Sequence, residues 1–295
     1  MVTERPGRLR IGVVGAGRVG AVVAAALRRA GHHVVAASGV SDASRNRIDV
    51  LLPGVPRRDV DQVVAAADLV LLTVPDDALA EVTGGLAQVG AWRAGQLAVH
   101  CCGTLGLTVL EPATRLGVVP MAIHPAMTFT GTSVDLDRLA GATCAVTAPP
   151  AFLPIAQALA VEMGGEPVVV PDEVRPLYHA ALAHAANHTA TVLAQATQLL
   201  SAAGIDEPGR VLSPLVHAAV DGALSDVPGT MASLTGPVVR GDVGTVQAHL
   251  AALANHPEAL AAYRAMAQAT AAQALASSRL TQATYAALSA VLKER

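Results

Sequence analysis

The residue types of this chain supply two kinds of chemistry. Gly15-Ala16-Gly17-Arg18-Val19-Gly20 has the Gly-x-Gly-x-x-Gly spacing of a dinucleotide-binding turn. In such a turn the first glycine permits the tight bend, the second lets backbone approach a pyrophosphate, and the third lets helix and strand pack closely. The anion then rests on the exposed N–H groups of the helix N-terminus, where the macrodipole favours negative charge. Acid–base chemistry is the second kind. His100 and His124 each close an apolar run, at the strand ends where ligands bind in open α/β sheets. A histidine there can donate to a carbonyl or carboxylate, or shuttle a proton near neutral pH. The bland reading of His124-Pro125 is a turn-stabilising histidine. Cys102 has no basic partner nearby in sequence and reads as a packed small residue.

Further along, His179, His184, Asn187, His188 and Thr191 recur at spacings that share a helical face in an otherwise apolar segment. Buried polar groups need partners, so this file points either to a ligand or to satisfied core or interface histidines. His184 and His188 have the i, i+4 spacing of a metal pair, but no carboxylate completes such a site, and no metal is expected. Thr235-Gly236-Pro237 leads to Arg240-Gly241-Asp242. Arg240 can grip a carboxylate bidentately, with Thr235 beside it, or simply pair with Asp242. At residues 33–38 the second apolar run ends without the acid that binds an NAD ribose diol. Ser38, Ser41, Ser44, Arg45 and Arg47 follow instead, suited to a 2′-phosphate, which favours NADP; Asp42 argues the other way.

These groups need a scaffold. Apolar runs at 10–14, 33–38, 68–74, 97–101, 118–124, 143–147 and 167–170 alternate with helical segments. That pattern predicts a doubly wound, mostly parallel Rossmann-like sheet covered on both faces, an α/β class domain over residues 8–172. The third run ends in Thr73-Val74-Pro75, a proline turn at the cofactor edge of the sheet. After Pro171–Pro176 strand signals vanish, and residues 173–295 read as an all-α C-terminal domain. Its helices are expected at 177–203, 208–224, 229–240, 242–254, 256–275 and 279–293.

Composition bounds the rest. A net charge of −3 gives no sign of nucleic acid or an anionic membrane as partner. Three cysteines, two of them adjacent, build no disulfide framework, so reduced thiols and a cytoplasmic location are expected. Residues 1–10 are polar and lack the apolar core of a signal peptide. Residues 176–205 carry no Asp, Glu, Lys or Arg, yet are too rich in His, Asn and Gln for lipid; they are expected to form a long helix buried in protein. Lysine occurs only at Lys293, which removes catalytic lysine chemistry from the body of the chain.

With these residues in view, the chain resembles a bacterial family in which a Rossmann-like NADP-binding domain precedes a helical domain long of unknown function. The resemblance runs over residues 8–292. It rests on the glycine motif, Val74-Pro75-Asp76, His100 to Gly103, His124-Pro125, Tyr178-His179 with Asn187, and Leu234-Thr235-Gly236-Pro237 with Arg240-Gly241-Asp242. The architecture is similar to 6-phosphogluconate dehydrogenase, ketopantoate reductase and pyrroline-5-carboxylate reductase, and His124-Pro125 resembles prephenate dehydrogenase. Some members are implicated as alternative ketopantoate reductases.

Ketopantoate reductases proper carry a lysine and two asparagines on the first helix of their second domain. Matching Asn187 to the second asparagine puts His179 at the lysine and Ala183 at the first asparagine, and the catalytic glutamate falls at Thr245. What the resemblance implies is an NADPH-dependent oxidoreductase of a small 2-oxo acid, a 2-dehydropantoate reductase of pantothenate biosynthesis being the best single expectation. His179 would serve as proton donor, Asn187 would hold the carbonyl or a hydroxyl, His124 would line the pocket, and Arg240 and Thr235 would take the carboxylate. Gly15 to Gly20, Ser41, Arg45 and Thr73-Val74-Pro75 would bind the cofactor, in a homodimer. The alternatives are a hydroxy acid dehydrogenase, a cyclic imine reductase, or a cofactor-binding module without catalysis.

Overall fold

The computed structural model describes residues 7–225 and 233–293. The chain divides into two compact units, one ending at Leu182 and the other starting at Ala183. In the first, strands alternate with helices: β1 (Arg10–Val14), α1 (Arg18–Arg29), β2 (His33–Ala37), α2 (Asp42–Leu51), α3 (Val60–Ala66), β3 (Leu69–Leu72), α4 (Leu79–Gln88) and β4 (Leu97–His100). There follow α5 (Glu111–Thr114), β5 (Val119–Pro125), α6 (Val134–Leu139), β6 (Thr143–Thr147), α7 (Leu153–Glu162) and β7 (Glu166–Val169). The strands form one sheet in the order β2-β1-β3-β4-β5-β6-β7, parallel except between β5 and β6. The expected doubly wound, mostly parallel sheet is what forms.

Period-two alternation decides which side chain meets which layer. Ile11, Val13, Leu69 and Leu71 face a core shared with α1 and α7, whereas Val14, Val70 and Leu72 face the layer containing Val63, Leu79 and Trp92. Gly12 sits on the second face because there is no room for a side chain: a Cβ there would lie 2.7 Å from the Val63 carbonyl oxygen.

Registers carry the topology to the site. His100 lies level with Ala122, and Ala122 with Thr147 on the reversed β6. Val146 is level with Val169, so the chain leaves β7 at the height of the β4 C-terminus, not at the far end of the sheet. A long helix, α8 (Arg175–Ala202), starts there.

The second unit contains the rest of α8, α9 (Pro208–Ser225), α10 (Pro237–Arg240), α11 (Val243–Ala252), α12 (Pro257–Ala276) and α13 (Gln282–Lys293). Ala267, Ala271 and Ala274, at helical spacing on α12, pack with Val246, Leu288 and Leu292. Two expectations need correction. The helix expected over 229–240 is helical, among the described residues, only from Pro237; residues 226–232 lie outside those described. Gly236 has φ +133°, which no helix continues through, and Pro237 is suited to a first helical turn. The segment 176–205 is helical as expected but not buried: every residue from His184 to Val192 is exposed. Its Thr191 and Thr197 hydroxyls are satisfied locally, donating to the Asn187 and Leu193 carbonyls one turn back. No helix among the described residues is long and apolar enough to cross a membrane.

Candidate functional site

The glycine turn is locked from three sides. Gly15 adopts φ +86°, its N–H donates to Ser38 Oγ at 3.1 Å, and its carbonyl accepts from Thr73 Oγ1 at 2.8 Å. The Ala16 N–H donates to the Ser38 carbonyl at 2.8 Å. A Cβ on Gly20 would collide with Thr73 Oγ1, so this glycine is the close-packing one. Gly17 differs: the nearest atom to a Cβ placed there is 3.9 Å away, leaving open space in front of the α1 N-terminus. Gly15 thus makes the tight bend and Gly20 the close packing that their spacing predicts. Val19, Thr73, Val74 and Asp76 line a cavity of about 70 Å³ with Cys101 and Cys102. Pro75 is exposed beside it.

The residues expected near a 2′-phosphate are not equivalent. Ser38 is buried, and its hydroxyl oxygen accepts from the glycine turn. Ser44 is buried and donates to the Ser41 carbonyl at 2.7 Å. Ser41 caps α2 by accepting from the Ser44 N–H at 3.2 Å and is exposed. Arg45 is exposed and paired with Asp42 at 3.0 Å.

Along the same sheet edge the histidines part company. His100 is fully buried; its Nδ1 accepts the Cys102 N–H at 3.3 Å, which leaves Nε2–H to donate to the Gly106 carbonyl at 3.2 Å. Burial, with the Arg175 charge adding, pushes its pKa down to about 4. Both ring nitrogens serve the loop, so His100 is a structural group and not a shuttle. His124 is half-buried, and its Nδ1 lies 3.1 Å from Tyr178 Oη. Burial and then Arg175 lower its pKa to about 4, so it is neutral near pH 7. His179, from the first turn of α8, places Nδ1 2.6 Å from Thr104 Oγ1, its ring edge-on to His124 at 5.8 Å. Between them lies Gly103: a Cβ would strike the His179 ring and come within 3.0 Å of His124 Nε2.

Arg175 holds this arrangement together. Fully buried, it donates from Nε to the Leu105 carbonyl at 2.8 Å, from Nη2 to Cys102 O at 2.6 Å and from Nη1 to Thr147 Oγ1 at 2.8 Å. Asp172 adds a hydrogen bond from the Leu107 N–H at 2.8 Å. Arg175 and His179 are one turn apart on α8, so one helix face both ties the β4 loop and presents the imidazole to it. Cys102 is buried and accepts from the Leu105 N–H at 3.3 Å. Burial and the Asp76 carboxylate push its thiol up to about 11, so it is a packed residue and no nucleophile. Sequence reasoning missed Arg175 and Thr104; a lone arginine between two prolines carries no local signal of a buried three-way clamp.

In the helical unit Asn187 is exposed, and the exposed His184 and His188 bring their Nδ1 atoms to 2.8 Å. Thr235 lines a cavity of about 250 Å³ with Pro237, His249, Tyr263 and Thr270, in which His249 Nδ1 lies 2.9 Å from Tyr263 Oη. Arg240 is exposed and, among the described residues, has no carboxylate within 4.0 Å. Asp242, read as its partner, instead caps α11 through the Thr245 N–H at 3.0 Å and Thr245 Oγ1 at 2.7 Å. Those two hydrogen bonds hold its carboxyl below the usual range. Among the described residues no three His, Cys, Asp or Glu side chains gather to hold a metal ion.

Residues 2–125 match the Rossmann-like domain, and residues 142–270 match the domain of unknown function DUF2520. The chain joins a Rossmann-like domain to a DUF2520 domain. Among curated proteins none matches it. Solved structures share the fold. A Bacteroides fragilis protein named as an NADP oxidoreductase is 23% identical, with 90% of this chain and 98% of that one covered at a TM-score of 0.73. An imine reductase from a Pseudomonas species is 20% identical over 97% of this chain and all 100% of its own, TM-score 0.63. A reductive aminase from Aspergillus terreus, in complex with NADPH and ethyl levulinate, is 16% identical over 88% of this chain and 87% of its own, TM-score 0.58.

Proposed function

We propose that the protein is an NADP-dependent oxidoreductase that uses NADPH to reduce a small 2-oxo acid, with ketopantoate (2-dehydropantoate) as substrate and pantothenate biosynthesis as its setting. The observation that carries the reading is the space in front of Gly17. It opens from a turn whose every other face is locked, on the same sheet edge as the Gly103, His124 and His179 group. The residues from Gly15 to Gly20, with Thr73, Val74 and Pro75, fit a dinucleotide there, and Ser41 and Arg45 stand at the adenosine end. The fold shared with a reductive aminase that binds NADPH supports the choice of cofactor.

When bound, the dinucleotide supplies a hydride to the carbonyl carbon. His179 then donates a proton from Nε2 to the developing alkoxide oxygen, completing the hydroxy acid, and solvent restores the proton. Thr104 serves this step by fixing Nδ1, which leaves Nε2 as the donor. Neutral His124 lines the pocket without repelling a protonated His179, Asn187 holds the carbonyl or a hydroxyl, and Arg240 and Thr235 take the carboxylate. Exposed Val211, Leu215 and Leu224 on α9 favour a homodimer through the helical unit. The free thiols Cys101, Cys102 and Cys144 fit a cytoplasmic protein.

A cyclic imine is the second reading. Arg175, the cation acting on His124, has its guanidinium engaged by three acceptors and offers no grip for a carboxylate at that edge. NADPH consumption over a panel of 2-oxo acids and cyclic imines separates the two, ketopantoate turnover being expected. His179→Ala should lower kcat by about 10²–10⁴-fold and leave NADPH affinity unchanged. Undiminished kcat in that variant removes His179 from the mechanism, and turnover of imines alone replaces the substrate.

A further inference from the structure

Two imidazoles at the sheet edge are pinned in the same way. His124 Nδ1 lies 3.1 Å from Tyr178 Oη, and His179 Nδ1 lies 2.6 Å from Thr104 Oγ1. In each ring Nε2 has no hydrogen-bond partner among the described residues. The rings stand edge-on at 5.8 Å beside Gly103, whose missing side chain admits both. Tyr178 and His179 follow Arg175 by three and four residues on α8, so all three share one helix face. The three hydrogen bonds of Arg175 therefore fix the rotation of the turn that brings Tyr178 to His124.

The tautomer of His124 follows from a count of protons. A phenol carries one O–H, and Tyr178 Oη has no other partner among the described residues. Both groups are satisfied only when Tyr178 donates and Nδ1 accepts, which leaves the ring proton on Nε2. Asp76 favours a second ring proton, but burial, Arg175 and His179 outweigh it and the ring stays neutral. Burial also pushes the Tyr178 phenol up, so it keeps its proton.

We propose that Tyr178 is a positioning residue that holds His124 as a neutral Nε2–H donor, and that this N–H joins His179 in hydrogen-bonding the substrate's carbonyl oxygen. The inference rests on the reading that this edge reduces a carbonyl group. The two histidines divide the work. The cofactor's hydride and one proton from His179 complete the alcohol, so the His124 proton is never consumed. His124 instead stabilises the negative charge that builds on oxygen as hydride arrives. A neutral imidazole suits that part because it lends a hydrogen bond without giving up its proton.

Heteronuclear NMR of the histidine rings in the full chain, without substrate, reads the tautomer. His124 should be the neutral Nε2–H form from about pH 5.5 to about pH 8, and Tyr178→Phe should admit the Nδ1–H form. Kinetics on a carbonyl compound that the wild type reduces read the role. His124→Ala should lower kcat about 10²-fold, and His124→Gln, whose amide keeps a neutral N–H, by no more than about tenfold. Tyr178→Phe should lower kcat by about three- to tenfold and leave KM unchanged. Trp92 fluorescence checks that each variant is folded; if Tyr178→Phe is not, the wild-type spectra and His124→Gln still decide. A wild-type His124 in the Nδ1–H form, or a Tyr178→Phe enzyme with wild-type tautomer and kcat, overturns the role of Tyr178. His124→Gln no better than His124→Ala makes His124 a proton carrier and overturns the donor assignment. A wild type that reduces no carbonyl compound overturns the proposed function and the donor role with it, while the spectra still decide what Tyr178 does to His124.

Discussion

Arg175→Met measures how much of the first unit hangs on one guanidinium. The variant keeps the stem volume and removes three hydrogen bonds of 2.6–2.8 Å, to Cys102 O, Leu105 O and Thr147 Oγ1. A buried acceptor stripped of its donor costs about 1–3 kcal/mol. Thr147 counts least, because its hydroxyl still donates to Val170 O at 2.6 Å. Relief from burying a cation offsets part of the total, since burial is the leading influence holding Arg175 below its ordinary pKa. The expected net loss is about 2–4 kcal/mol. Trp92 is the only tryptophan and lies buried in this unit, so its fluorescence in urea reads this unit's unfolding directly. With a urea slope of about 1–3 kcal/mol/M, the midpoint should fall by about 1 M or more. Arg175→Lys should recover less than half, because one ammonium cannot span three diverging acceptors. A loss below about 0.5 kcal/mol for the methionine variant would refute the clamp as the organiser of the β4 loop.

Gly17→Val should abolish NADPH binding while leaving the Trp92 transition within about 1 kcal/mol of wild type, because its side chain enters space that no protein atom uses; retained binding in the folded variant would contradict the pyrophosphate site. Stability should also fall with acid. His100 and His124 are held at about 4 in the fold against 6.5 when free, so the unfolded chain takes up protons first as pH drops. Their contribution is complete above pH 6.5 and is lost as pH falls toward 4, about 2 kcal/mol for each histidine by about pH 5. Urea midpoints unchanged between about pH 7 and about pH 5 would rule this out.

Local pattern carried most of the scaffold. Apolar runs of strand length between amphipathic helices placed all seven strands to within about two residues, because alternation and glycine chemistry act over short stretches. The glycine turn was legible down to the bend at Gly15 and the close packing at Gly20. Groups defined by distant partners were not. That Ser38 also accepts the N–H of a turn 23 residues earlier was invisible in its local sequence. His100 looked like a shuttle but closes its own loop, and Arg175 looked like linker although it binds carbonyls 70 and 73 residues upstream. Exposure of the α8 histidines was illegible for a related reason: an uncharged stretch mimics a core helix unless its polar groups find partners within a turn.

The way Arg175 grips the β4 loop bears on how the chain folds as it is made. Cys102 and Leu105 emerge from the ribosome long before Arg175, and synthesis proceeds at about 5–20 residues per second. For those seconds the sheet can pair through β5, while the loop carrying Gly103 and Thr104 lacks the hydrogen bonds of Arg175 to Cys102 O and Leu105 O. Completion of the first unit waits for the opening turn of the helix that belongs mostly to the second. A nascent chain halted after β7 would be open to proteases at the β4 loop, and release of the next few residues would close it.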